Sequence, residues 1–199
     1  METTSQLIPA AQLRSTPWKN GGGSTREIMV YPPEAGFDTF SWRISLAEVA
    51  QPGAFSTFDG IDRHIVLTHG KSMVLHNQTQ QSAHTLTPFA PYPFVGEDQI
   101  EGILPDGPTF DFNLMVRREH GHGTVQCYQQ AQQHRLAAGH YVFHCATGTH
   151  QLRFDNQEIT LQAGDSLYWF QAQDGLTLLS EPLTTPSDLV VAHIQLLTT

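Results

Sequence analysis

The sequence predicts an all-β chain built from two similar β-units, and three observations carry that expectation. Apolar and polar residues alternate with a period of two, turn residues interrupt the alternation at short intervals, and a faint echo relates the two halves. Helical periodicity is almost absent.

The alternation is plainest in two runs. Phe40, Trp42, Ile44 and Leu46 alternate with Ser41, Arg43, Ser45 and Ala47; Phe110, Phe112, Leu114 and Val116 alternate with Asp111, Asn113, Met115 and Arg117. Successive side chains of a strand point to opposite faces, so each run has an apolar and a polar face. Shorter β-rich runs lie at 65–67, 73–75, 125–128, 141–144, 151–154, 159–161, 167–170, 177–179 and 190–196. A short helix is expected at most around residues 10–14 or at Glu48 and Val49. His69-Gly70-Lys71, Pro105-Asp106-Gly107-Pro108, Asp155-Asn156 and Ala163-Gly164-Asp165 supply turn chemistry. Many short strands punctuated in this way make a sandwich or a barrel.

The echo runs at an offset of about 76 residues: His64-Ile65-Val66-Leu67 leads to Leu86 and Phe94 as His140-Tyr141-Val142-Phe143 leads to Leu161 and Trp169. Each half then reads as a β-run, a hairpin and a second hairpin. In the second half Leu161-Gln162-Ala163-Gly164-Asp165 matches the L-x-x-G-D hairpin common in cupin barrels, with Gly164 supplying a positive φ.

Composition bounds the function. A chain of 199 residues that is 39% hydrophobic and 15% charged folds around a real core. Its formal net charge of −9 argues against nucleic acid and anionic membrane surfaces as partners. The N-terminus lacks the basic start of a secretory signal, and no apolar run reaches the ~18 residues a membrane helix needs. Cys127 and Cys145 form neither a disulfide framework nor a zinc motif, so a reducing cytoplasm is expected. Six of the ten cations, Arg14, Lys19, Arg26, Arg43, Arg63 and Lys71, precede residue 72, and none follows until residue 117. They are either scattered surface charges or, if they converge, an anion site on an acidic protein.

The stretch TPWKNGGGSTREI, residues 16–28, sharpens that choice. A phosphate loop places its lysine after the glycines and before a helix; here Lys19 precedes Gly21-Gly22-Gly23, and the residues after Thr25 read as strand. Two readings remain: a flexible bend, or a rim whose glycine N–H groups, with Lys19 and Arg26, clamp a carboxylate. The eleven histidines do not assemble a metal motif. His120-Gly121-His122 lacks a following glutamate and reads as loop, and His140 and His144, on one strand face, lack one too. No metal and no cofactor are expected. No G-x-S-x-G motif is present. In a small barrel that holds a polar ligand, a few polar groups must turn inward. Arg43 could then pair with a carboxylate and Asp111 accept from an N–H group, whereas ordinary amphipathic strands would leave both in solvent.

STPWKNGGGSTREI, FSWRISLAEVAQPGAFSTFDGIDRHIVLTHG, PYPFVGEDQIEGILPDGPTFDFNLMVRR and LQAGDSLYW together resemble the HutD/Ves family of bacterial proteins. The likeness spans essentially the whole chain and is strongest over residues 14–118. It implies a double-barrel cupin, or bicupin, of two jelly-roll-like units: an N-terminal barrel over residues 1–118 and a C-terminal barrel over 119–199, packed as one compact unit and forming a homodimer. HutD proteins are linked to histidine utilisation and are viewed as flux-limiting regulators without established catalytic activity. They are thought to bind urocanate or N-formimino-L-glutamate in a pocket between the barrels. The Ves branch is associated with cold or stress response, and the motifs suit both branches.

The expected function is therefore a small-molecule-binding bicupin that modulates histidine catabolism by binding a small carboxylate. The alternative is a cupin enzyme, an isomerase, hydrolase or metal-dependent dioxygenase, with Asp111 as base. Such a ligand calls for cations, drawn from Lys19, Arg43 and Arg63; for N–H acceptors, Asp111 and Asn113; and for an aromatic wall from Trp18, Trp42 and Phe94. Asn20 at the glycine bend and His64, beside Arg63 but on the opposite strand face, complete the expected site.

Overall fold

Alternation becomes strand throughout. The computed structural model describes residues 4–154 and 157–197; the Asp155-Asn156 turn lies outside them. Two compact units emerge, one spanning Leu13–His122 and the other joining residues 4–12 to residues from 123 onward.

In the first unit a six-stranded sheet runs β2 (Ser15–Pro17), β3 (Gly23–Tyr31), β4 (Trp42–Val49), β11 (Thr109–Arg117), β6 (Ile61–His69), β9 (Tyr92–Val95). A four-stranded sheet runs β5 (Gly53–Ala54), β10 (Ile100–Ile103), β7 (Met73–Asn77), β8 (Ser82–Leu86). The second unit has a five-stranded sheet, β1 (Thr4–Ile8), β17 (Ser166–Gln171), β14 (Gly139–Thr147), β19 (Asp188–Leu196), β12 (Gly121–Tyr128). Its four-stranded sheet is β13 (Gln132–Leu136), β18 (Leu176–Pro182), β15 (Thr149–Phe154), β16 (Gln157–Gln162).

The echo in the sequence is a repeat of topology. Strands β4 to β11 fill sheets ordered 4-11-6-9 and 5-10-7-8, and strands β12 to β19 fill sheets ordered 12-19-14-17 and 13-18-15-16. Each is an eight-stranded jelly roll. The first adds β2 and β3 beside β4, and the second adds β1 beside β17.

That last addition departs from a division at residue 118. Thr4 pairs with Phe170 and Ile8 with Ser166, so the opening strand belongs with the C-terminal strands. Pairing across so many residues leaves no local sequence signal. Two smaller differences concern local structure. Gly121 and His122 open β12 instead of lying in a loop, and Glu48 and Val49 end β4. The only helical turn among the described residues is a 3-10 turn at Ala10–Gln12, and no helix is long and apolar enough to cross a membrane.

Both sheets of each unit contribute to its core. In the first, Val49, Ile65, Leu67 and Phe94 of the large sheet pack with Met73, Leu75, Leu86 and Ile100 of the small one. In the second, Tyr141, Phe143, Leu167, Trp169, Leu189 and Val191 pack with Leu136, Leu152, Phe154, Leu161 and Leu178. The opposite face of the first unit's large sheet, carrying Trp42, Ile44, Val66, Phe112 and Leu114, is buried as well. Its central strands are thus largely buried on both faces, and the polar face of β11 is the one turned into the barrel.

The L-x-x-G-D hairpin has a concrete task. Gly164 adopts φ +89°, and a Cβ there would come within 2.8 Å of the Ala10 side chain. Asp165 then accepts the N–H of Ala10 at 2.9 Å and that of Gln162 at 3.1 Å. The motif fastens the segment after β1 to the turn between β16 and β17.

Candidate functional site

Register builds the site. Across β4, β11, β6 and β9 of the first barrel, one row of inward-facing side chains reads Arg43, Met115, Arg63, Phe94; the next reads Ser45, Asn113, Ile65; the third reads Ala47, Asp111, Leu67. On β3, Glu27 stands opposite Ser45. A polar strip of Arg43, Ser45, Asn113, Asp111 and Arg63 therefore crosses an otherwise apolar interior.

Arg63 is the centre of this strip. It is 8% exposed, with its guanidinium 4.6 Å from the Phe94 ring centroid, 5.5 Å from Phe58 and 5.8 Å from Phe55. Such a cation–π sleeve holds a charge that water no longer solvates. One terminal nitrogen donates to the Ser56 carbonyl and the other to the Asn113 side-chain oxygen, both at 3.4 Å, while Nε is buried without a partner. Asn113 in turn donates its amide to Asp111, which is 1% exposed. Accepting from Arg63 and donating to Asp111 fixes which way the Asn113 amide faces.

Burial shapes the charges. Desolvation pushes the Asp111 carboxyl up to about 7, against the opposing pull of Arg63 and the Asn113 amide. Desolvation likewise lowers Arg63 to about 10, partly offset by Asp111 and reinforced by the like charge of Arg43. Arg43 is the second cation inside, but it is engaged: Nε meets Glu27 at 2.7 Å, one terminal nitrogen lies 3.5 Å from Ser45 Oγ, and its face lies 4.9 Å from the Phe37 ring. Phe37 stacks on Phe58 at 5.8 Å, so two loop aromatics cover the two arginines. The loop bearing Phe58 is anchored by Phe58 N–H to the Gly96 carbonyl at 2.8 Å and Gly60 N–H to Glu97 at 2.9 Å. Glu97 is itself paired with Arg118 at 3.1 Å.

The structure brings together Arg43, Arg63, Phe94, Asp111 and Asn113. It separates four other expected residues. Trp42 is fully buried on the opposite face of β4, stacked on Tyr31 at 5.6 Å, and His64 is on the opposite face of β6. Adjacent strand residues cannot line one pocket, so of Trp42–Arg43 and of Arg63–His64 only the arginine enters. Burial lowers the His64 pKa, against the pull of Asp62.

Lys19 and Asn20 form an exposed turn. That turn lies beyond Gly23, which pairs with Val49, and Arg43 stands six residues away at the other end of β4, roughly 20 Å at strand rise. Lys19 does not share a carboxylate with the two arginines. Nor are the first two glycine N–H groups available as an anion nest: Gly21 donates to the Trp18 carbonyl and Gly22 to the Asn20 side chain, each at 3.0 Å. The run serves close packing. A Cβ on Gly23 would sit 2.0 Å from the Glu48 carbonyl and 3.0 Å from the Trp18 ring, which packs onto the barrel core and donates to Thr25 at 2.7 Å.

Sequence reading missed Glu27 and the loop phenylalanines Phe37, Phe55 and Phe58. The alternation of Thr25 and Glu27 along β3 carried the signal for the first; no periodicity marks the others, because they lie in loops.

Among the described residues, no three His, Cys, Asp or Glu side chains converge as a metal site. His140 and His144 share hydrogen bonds with Tyr168 and Ser166, each at 2.9 Å, and burial with the neighbouring His193 drives His140 down to about 4. Burial pushes the Cys145 thiol up to about 11 and Cys127 up to about 12, which leaves both un-ionised and poor nucleophiles at neutral pH.

Comparison with known proteins places the fold in a family. The 21.2 kDa protein of the hutC 3′ region of Pseudomonas putida is 34% identical over 183 residues, covering 87% of this chain and 95% of the relative. Protein Ves of Cronobacter sakazakii is 33% identical over 163 residues, covering 81% and 85%. Among solved structures, a conserved protein of unknown function from Pseudomonas aeruginosa PAO1 superposes with a TM-score of 0.86 at 26% identity, covering 96% of this chain and 99% of that one. HutD from Pseudomonas fluorescens SBW25, solved in a formate condition, superposes with a TM-score of 0.83 at 26% identity, covering 98% and 100%. A cupin 2 barrel protein from Leptotrichia buccalis, at a TM-score of 0.56 and 11% identity, shares the fold alone. With the HutD family model matching residues 10–185, this double-barrel cupin belongs to the HutD family.

Proposed function

We propose that the first barrel binds a small carboxylate intermediate of histidine breakdown, urocanate or N-formimino-L-glutamate, and that this binding modulates histidine utilisation. One observation carries the reading: Arg63, a cation buried in an aromatic sleeve, keeps an unpartnered Nε while Asn113 links its guanidinium to the buried Asp111. A carboxylate takes Arg63, and an imidazole or formimino N–H is accepted by Asp111. Phe94 and Phe58 supply the apolar walls that exclude water and strengthen both contacts.

The test is a thermal-shift and calorimetric series with urocanate, N-formimino-L-glutamate, histidine, glutamate and formate. A ligand of the native state raises the melting temperature by mass action. Urocanate or formiminoglutamate should do so with the wild type, and Arg63→Ala should lose at least about a hundredfold in affinity, the usual scale for removing one partner of a buried charge-assisted contact. Wild-type affinity retained in Arg63→Ala, or no response to any of the five, overturns the reading.

A second reading has its own support. A carboxyl held near 7 inside an apolar barrel is poised for proton transfer at neutral pH, as a catalytic base would be. Turnover of the same compounds, followed by NMR and lost in Asp111→Asn, would establish an enzyme; binding without turnover would leave a binding protein.

A further inference from the structure

The two arginines of the first barrel are not equivalent, and the difference lies in Glu27. Arg43 and Arg63 flank Met115 on either side of β11, so both project into one interior. Arg63 faces that interior with a donor unspent. Arg43 is held by Glu27 at 2.7 Å, with the carboxylate 46% exposed and the arginine 12% exposed, so the acid lies at the rim and the cation inside it. Glu27 stands opposite Ser45, which in turn stands opposite Asn113; two strand spacings, about 10 Å, separate it from the Arg63–Asn113 contact. A ligand anchored on Arg63 and lying along the polar strip therefore runs toward Glu27.

We propose that Glu27 is a specificity-determining residue of this pocket: by pairing with Arg43 it cancels the second cation and restricts the pocket to ligands carrying one carboxylate. The inference rests on the carboxylate-binding reading above and deepens it: of its two candidates it selects urocanate, which carries one carboxylate, over N-formimino-L-glutamate, which carries two. A ligand with a second carboxylate would meet the Glu27 carboxylate at the far end of the strip, and like charges juxtaposed at a binding site are strongly disfavoured. Were Glu27 neutral, Arg43 would be released to pair with that second carboxylate, and the same pocket would take dicarboxylates. Removing negative charge at one rim residue changes the class of ligand while the Arg63–Asn113–Asp111 contacts stay as they are.

The experiment is titration calorimetry at pH 7 and fixed ionic strength. Two pairs of equal-length acids, valerate against glutarate and butyrate against succinate, are compared with urocanate in the wild type, Glu27→Gln and Glu27→Ala. The wild type should bind each monocarboxylate at least about tenfold more tightly than its dicarboxylate counterpart, a modest share of the cost of a like-charge contact. In Glu27→Gln and Glu27→Ala that ratio should fall by about tenfold or invert, with urocanate affinity kept or raised. Glu27 is half exposed, so neither variant threatens the fold. If the wild type binds monocarboxylates but its ratio is unmoved in both variants, or if it binds both members of each pair equally, the role of Glu27 is overturned and the pocket stands. If no acid binds to any of the three proteins, the pocket reading falls and the Glu27 inference falls with it.

Discussion

The two barrels share one topology but fill it with opposite chemistry. Register makes Arg63 of the first equivalent to Tyr141 of the second, Asp111 to Leu189, Asn113 to Val191 and Phe94 to Trp169. Where the first barrel holds a cation, an amide and a carboxyl, the second holds a phenol and two aliphatic side chains. Its remaining space is closed by rings: Phe154 stacks on Trp169 and Tyr141 on His193, both at 4.2 Å. The Tyr141 hydroxyl donates to the Ala137 carbonyl at 3.2 Å and accepts its N–H at 3.0 Å, so it directs no spare polar group inward. At these positions the second barrel is a packed core and the first is a core with a site in it; the buried polar groups of the second, His150 and Ser180, lie on other strands and bond to Ser187 and His134.

Transplanting one residue should break that contrast most severely. Leu189→Asp puts a carboxyl at the position equivalent to Asp111 but with no arginine or amide beside it. A buried, unpaired carboxyl costs several kcal/mol, so the variant should lose about 5 kcal/mol or more and unfold at far lower urea. Near-wild-type stability would mean the second barrel tolerates polar groups as the first does.

Asp111 gives the next largest effect, read as a slope against pH. Its carboxyl sits at about 7 in the fold against an ordinary 3.8, so the folded state binds the proton more tightly. The neutral form contributes stability fully present below about pH 4, which declines as pH rises and is lost through pH 7. Three units correspond to roughly 4 kcal/mol at most. Urea unfolding between pH 4 and 8 should show this decline, and Asp111→Asn should remove it. A wild-type profile flat across that window would show that Asp111 is ionised throughout.

Arg43 should give the smallest effect. Because its charge is already met by Glu27 in a partly exposed pair, Arg43→Ala should cost about 1 kcal/mol of stability. It should weaken urocanate binding far less than Arg63→Ala does. Equal loss in the two variants would erase the distinction between the arginines.

Much of this was legible in the sequence, and the illegible remainder has physical causes. Alternation in FSWRISLAEV and TFDFNLMVR located β4 and β11, and the inward turn of Asp111 and Asn113 followed from treating the polar face as a barrel lining. The same period of two contained the error at Trp42 and His64, since neighbours on a strand face opposite ways. The His64/His140 echo found the repeat but paired it two residues off from the register, which sets Arg63 against Tyr141. Lys19 could not be placed by local pattern, because only the pairing of Gly23 with Val49 shows which end of the barrel the turn occupies. The HutD likeness supplied the double barrel; it did not reveal Glu27, whose importance appears only when the side chain across from Ser45 is seen to reach Arg43.

Strand β1 sets a condition on how the chain matures. Residues 4–8 leave the ribosome before the first barrel, yet their partner β17 is made only after the whole of it. During synthesis they are an unpaired strand waiting for a sheet, and the second barrel's larger sheet cannot reach its full width from the C-terminal residues alone. Cutting the gene at the barrel boundary would therefore give two unequal products: a first half whose own two sheets are complete but which carries β1 without its partner, and a second with a bare edge along β17 that invites pairing with other chains. Restoring the strand at the other end, by circular permutation to place it after residue 197, is the rearrangement that would make the second barrel portable.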